Sequence, residues 1–191
     1  MALDQGYTVT IYSRDPEKKM AKLSHPNLIK IKGQLGDEGA MDAAMKGKDA
    51  VVNCIGPGGQ LSKQTTCSDA SRLIMAAMKR NGVSRLLVCG SFGAGGHRDF
   101  LPWVVKKLIG NILDDKDRME AEIFASGLEY TIARPPRLLE NQVQGDKIFV
   151  GENVNVAMGE IHPKDVAQFL LMCLYEGSWI NKTPHISSSK K

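Results

Sequence analysis

Short apolar runs alternate with stretches of helical spacing along most of this chain. Tyr7 to Tyr12 (YTVTIY) is β-branched and aromatic, Leu28 to Ile31 (LIKI) alternates, and Ala50 to Ile55 (AVVNCI) is nearly continuous. Arg85 to Cys89 (RLLVC) and Tyr130 to Ala133 (YTIA) share that character, and each run predicts a strand. Helical patterns fall between and after them, at about 37–46, 64–81, 115–126 and 163–175. In front of the first strand, MALDQ followed by Gly6 reads as the tail of a helix and a turn. Strand and helix repeated in this order predict a parallel α/β sheet, doubly wound with helices on both faces.

Helix punctuation supports the alternation. Ala70, Leu73, Ile74, Ala77 and Met78 recur at helical spacing, and Asn81-Gly82 supplies a left-handed stop. Pro163 suits the first position of the last helix, Asp165 favours the positive end of its dipole, and Val166, Phe169, Leu170, Cys173 and Leu174 form its apolar stripe. The acidic run Asp114, Asp115, Asp117, Glu120 and Glu122, with Lys116 and Arg118 interspersed, reads mostly as a solvated helix face.

Composition narrows the class. At 191 residues, 42% hydrophobic and 24% charged, the chain suits one globular domain, expected over residues 1–186 with a disordered tail at 187–191. Its net charge of +4 is spread along the chain, which gives no footprint for nucleic acid or an anionic membrane. Cys54, Cys67, Cys89 and Cys173 lack CxxC spacing and nearby histidines, so they predict buried free thiols and no metal site. His25, His97, His162 and His185 are scattered, and His97 reads as a solvated loop residue. With no signal-like segment and no long apolar stretch, the expected location is the cytoplasm.

Three loops after strand ends carry the chemistry, since open α/β sheets bind ligands there. Ser13-Arg14 follows YTVTIY: a hydroxyl and a guanidinium suit the extra phosphate of NADP, with Asp15 a turn former, whereas standing alone Arg14 is a solvated loop residue. Gly56-Pro57-Gly58-Gly59 offers either close backbone approach to a ligand or an ordinary turn. Gly90-Ser91 follows RLLVC and places a hydroxyl where it either orients a carbonyl or caps a turn.

Five blocks in order, YTVTIYSRD, GKDAVVNCIG, AAMKRNGVSRLLVCGS, SGLEYTIARPP and IHPKDVAQFLLMCL, resemble the NAD(P)H-binding, NmrA-like atypical short-chain dehydrogenases over roughly residues 5–175. Their order and spacing are most similar to the biliverdin-IXβ reductase, or flavin reductase, branch. The resemblance implies a Rossmann-type sheet and an NADPH-dependent reductase acting on a flavin, tetrapyrrole or similar small molecule. It implies that Ser13 and Arg14 meet the 2′-phosphate, and that Gly56 and Pro57 line the ribose and pyrophosphate. Gly90 and Ser91 then face the nicotinamide and substrate, Ser91 as the catalytic residue, with Pro135 and Pro136 as the wall behind. Arg134 and Arg137 flank that wall, available to an anionic substrate or to the chain's own carboxylates.

The chain departs from the family pattern in three places. The family's first strand and Gly-x-x-Gly-x-x-Gly turn find no counterpart, which predicts two unpaired sheet edges and self-association through them. Gln34 stands where an adenine-reading aspartate is usual; its carbonyl accepts the same hydrogen bond, and Asp37 is the alternative. None of Tyr7, Tyr12, Tyr130 and Tyr175 has a lysine four residues on, so the Tyr-x-x-x-Lys acid/base pair is absent. The readings that compete with a reductase are a non-catalytic NADP sensor and an interaction module that binds no nucleotide.

Overall fold

In the computed structural model, which describes residues 1–140, 148–152 and 159–188, the alternation forms parallel ladders. The chain divides into two compact units, one of residues 1–49 and 73–84, the other of 50–72 and 85–191.

In the first unit a 3-10 turn, Leu3–Gln5, stops at Gly6, whose φ of 86° is left-handed. Strand β1, Val9–Ser13, pairs in parallel with β2, Leu28–Lys32. Between them lies α1, Pro16–Lys19, which Asp15 caps by accepting the Lys18 amide at 3.3 Å, so the turn-forming role of Asp15 holds. Helix α2, Glu38–Met45, is capped the same way by Asp37, whose carboxylate accepts the Ala40 amide at 2.9 Å. Helix α3, Thr66–Arg80, contributes its residues from Leu73 onward to this unit and ends at Asn81-Gly82 as its sequence requires. Arg80 grips Asp42 through Nε and Nη2 at 3.0 and 2.9 Å, tying the end of α3 to α2 over a core of Met41, Met45, Ala77 and Met78.

In the second unit β3, Ala50–Asn53, β4, Arg85–Cys89, and β5, Glu129–Ala133, form one parallel sheet in the order β3-β4-β5. Helix α4 runs from Trp103 to Phe124, and α5, Pro163–Glu176, buries Val166, Phe169, Leu170 and Cys173 against Leu87 and Ala133. Short strands complete the unit: β6, Arg137–Leu138, pairs with β8, Glu160–Ile161, and β7, Phe149–Gly151, pairs with β9, His185–Ser187. The stretch before β9 covers the outer side of β5, with Ile132 and Arg134 amides donating to Lys182 and Pro184 carbonyls.

Among the described residues β1 pairs only with β2, and β3 only with β4. Each therefore keeps a free edge, as the sequence predicts, and Val52 in the middle of β3 is 46% exposed. Two expectations need correction. The helix expected from 115 begins at Trp103, because Pro102 sets its start and exposed Trp103, Val104 and Leu108 blur its early stripe. The expected tail begins too early: Ser187 is fully buried in β9, and Ser188 donates to the Glu160 carbonyl at 2.9 Å, while residues 189–191 lie outside the described ones.

Candidate functional site

Residues at the carboxyl end of β1 belong to the first unit. Ser13 closes the strand with its Oγ buried and, among the described residues, without a hydrogen-bond partner. Arg14 follows, exposed, and among the described residues it enters no ion pair. Gln34 lies beyond β2, where the Tyr12 hydroxyl donates to its backbone carbonyl at 2.8 Å. A side chain at Gly33 would land on the Tyr12 ring, so this glycine serves the packing of the loop. Burial, then the Asp37 carboxylate, push the Tyr12 hydroxyl above its ordinary pKa, keeping it a donor.

In the second unit the loop after β3 is fastened by Asn53. Its buried amide donates to Ser71 Oγ at 2.9 Å and its Oδ1 accepts the Ile55 amide at 3.0 Å. Gly56 and Pro57 project from that anchor, and a Cβ on Gly56 would meet open space. Gly90 differs: a Cβ there would lie 2.8 Å from Ile132 and 2.9 Å from the Ala133 carbonyl, so its glycine is demanded by β5. Ser91 is half-buried, and among the described residues its Oγ donates to the adjacent Phe92 carbonyl at 3.3 Å, a local bond. The Phe92 amide donates to the Pro135 carbonyl at 2.7 Å, joining the Ser91 loop to the buried Pro135-Pro136 pair.

Beneath this loop lies an ionic platform that reverses the reading of α4 as a mostly solvated acidic face. Glu120 and Arg134 are 1% and 4% exposed and paired through two hydrogen bonds, so Arg134 is committed to the chain's own carboxylate. Asp117 accepts the Gly95 amide at 2.8 Å and binds Arg98, which also meets Asp114 at 2.7 Å. Asp115, also buried, accepts the Cys67 amide, the Ser68 amide and Ser68 Oγ at 2.7, 3.2 and 2.6 Å at the start of α3. Burial opposes its charge, and these bonds outweigh it, holding the carboxyl below its ordinary pKa. Arg137 remains 74% exposed, 3.7 Å from Glu160.

His97 is also a correction, being partly buried with its ring edge-on to His185 at 4.9 Å. His185 is fully buried between that ring and Phe92, and neither nitrogen finds a partner of ordinary geometry among the described residues. Burial, then Arg134, then His97, lower His185 to about 4, an effect the Glu152 carbonyl offsets only in part. The residue that sequence reasoning missed here is Lys116, buried and donating to the Cys89 carbonyl at 3.0 Å. Its signal was spacing: Leu113, Lys116, Glu120 and Ile123 recur on one stripe, which marks Lys116 and Glu120 as facing inward. Among the described residues no three His, Cys, Asp or Glu side chains converge as a metal would need.

A family model described as NAD(P)H-binding matches residues 1–176. Among solved structures, ChuY, an anaerobilin reductase from Escherichia coli O157:H7, superposes with a TM-score of 0.80 at 20% identity, over 98% of this chain and 87% of that one. A Rossmann-fold NAD(P)-binding family protein from Shigella flexneri is 25% identical, with a TM-score of 0.73 over 96% of this chain and 82% of that one. A wide-type short-chain dehydrogenase/reductase from Veillonella parvula, solved in complex with NADP, has a TM-score of 0.72 at 17% identity, over 94% and 82% of the two chains. The fold is thus a Rossmann-type α/β one, as the strand order and these likenesses agree.

Proposed function

We propose that this chain, which belongs to the NAD(P)H-binding family, is an NADPH-dependent reductase of a flavin, a tetrapyrrole or a similar small acceptor. The observation that carries the cofactor choice is the end of β1. Ser13 Oγ is buried without a partner among the described residues, beside an exposed Arg14 that enters no ion pair among them, and the neighbouring acid, Asp15, is engaged in capping α1. A 2′-phosphate would satisfy the hydroxyl and take a bidentate bond from the guanidinium.

In the same reading Gln34 accepts the adenine amino group, and Gly56 and Pro57 let the backbone approach ribose and pyrophosphate in the space open beside Gly56. Gly90 supports the loop by packing, Ser91 donates a hydrogen bond that orients the nicotinamide amide or the acceptor, and Pro135-Pro136 close the wall. The bound nicotinamide supplies the hydride. The chain contributes position and exclusion of water; without a Tyr-x-x-x-Lys pair, the proton comes from solvent. That a structural neighbour is an anaerobilin reductase favours the tetrapyrrole class among the acceptors. The free thiols of Cys54, Cys67, Cys89 and Cys173 suit work in the cytoplasm.

The test is NADPH consumption with flavin mononucleotide and with biliverdin. Turnover with either, slowed in Ser91→Ala while the NADPH Kd holds, is expected. Tight NADPH binding with no turnover on either class would replace the reductase by an NADP sensor, and a covalent Ser91 adduct would remove its positioning role.

A further inference from the structure

Two of the four cysteines stand at one level of the second unit's sheet. Asn53, the last residue of β3, is the Cα partner of Val88 in β4; the register carried one residue past the ladder sets Cys54 against Cys89, and the two thiols are near enough to interact electrostatically. Residues in register on neighbouring parallel strands lie about 4.8 Å apart with side chains on one face, inside the span of about 4.4–6.8 Å between Cα atoms that a disulfide bridges. Cys54 is exposed and Cys89 half-buried, whereas Cys67 and Cys173 are buried. Cys67 is further engaged by the Ile55 carbonyl, 3.7 Å from its sulfur, and Cys173 is packed in the α5 core. Burial pushes both thiols up, Cys54 to about 11, and the Lys116 ammonium, held on the Cys89 carbonyl at 3.0 Å, offsets only part of that rise, so the reacting thiolate is the minor form of each.

We propose that Cys54 and Cys89 form a peroxide-sensitive dithiol that closes into a disulfide across the carboxyl ends of β3 and β4. The Cys54 thiolate, the more accessible, attacks one oxygen of a hydroperoxide. An S–O bond forms, the O–O bond breaks, and with hydrogen peroxide the departing hydroxide takes up a proton to leave as water. The Cys89 thiolate then attacks the sulfur of this sulfenic acid, forming S–S and expelling the oxygen as a second water. Two thiols are oxidised by two electrons in all, and one peroxide is reduced. The bridge would draw together the strand ends that launch the Gly56-Pro57 and Gly90-Ser91 loops, so it lowers NADPH affinity; that consequence rests on the proposed cofactor reading, and the thiol chemistry does not.

The experiment treats the reduced protein with a small excess of hydrogen peroxide, counts thiols in denaturant and maps cross-linked peptides by mass spectrometry. The expected result is a fall from four free thiols to two, one intrachain peptide pair joining Cys54 to Cys89, and return to four with dithiothreitol. In Cys89→Ser the cross-link is lost and Cys54 is trapped by dimedone as the sulfenic acid. Four surviving thiols, or a bond from either residue to Cys67, Cys173 or a second chain, overturns the proposal. Unchanged NADPH affinity in a protein shown to carry the bridge would count against the cofactor reading alone.

Discussion

Arg134 and Glu120 face each other through two hydrogen bonds at a depth where neither side chain meets solvent. Arg134 directly follows β5 and precedes Pro135-Pro136, and Glu120 projects from α4, so the pair clamps the strand end to the helix beneath the Ser91 loop. Removing one partner leaves the other charge buried and unpaired, which costs about 3–5 kcal/mol. Glu120→Ala should lower the urea midpoint accordingly, and a paired Glu120→Leu, Arg134→Met replacement should recover most of the loss. A midpoint for Glu120→Ala equal to that of the wild type would contradict the clamp.

The same guanidinium explains a glycine. Gly95 and Gly96 both have left-handed φ, 68° and 84°, but only at Gly95 would a Cβ run into Arg134. Gly96→Ala should cost about 1–2 kcal/mol for the backbone conformation, and Gly95→Ala should cost more than Gly96→Ala because the clamp must also shift. Equal denaturation midpoints for the two variants would show that the Arg134 side chain yields freely.

His185 couples stability to acid. Its folded pKa, about 4, lies below the unfolded value of 6.5, so the unfolded chain binds the extra proton between them. The stabilisation is therefore fully present above pH 6.5 and is lost as pH falls toward 4, by about 1.4 kcal/mol per unit. His97, whose pKa is lowered by burial and then by Arg134, titrates in the same sense. Thermal melts from pH 7 to 4.5 should show Tm falling, with a visibly shallower fall in His185→Gln. Identical slopes would move the acid sensitivity elsewhere.

Much of the frame was legible because it rests on local signals. RLLVC is β4 as read, Asn81-Gly82 stops α3, and Asp15 caps a turn, each fixed by residues within a few positions. Strands β6 to β9 run two or three residues, too short for alternation to register, and they exist through pairing with distant segments. Charge at Glu120 and Lys116 hid their burial, since their partners, Arg134 and the Cys89 carbonyl, lie far along the chain. Of the site, the Ser13 hydroxyl and the open space at Gly56 are compatible with the proposed cofactor loops, and the packing demand at Gly90 gives that glycine a structural cause.

The central claim is that the end of β1 selects NADPH, and calorimetric titration of the protein with NADPH and NADH, for wild type and Arg14→Ala, addresses it most directly. One charge-assisted contact of about 1.5–3 kcal/mol corresponds to roughly 10- to 150-fold in affinity. The wild type should bind NADPH tighter than NADH by that factor, and Arg14→Ala should erase the difference while leaving NADH binding unchanged. Equal affinities for the two cofactors in the wild type, or a preference that survives in Arg14→Ala, would contradict the account.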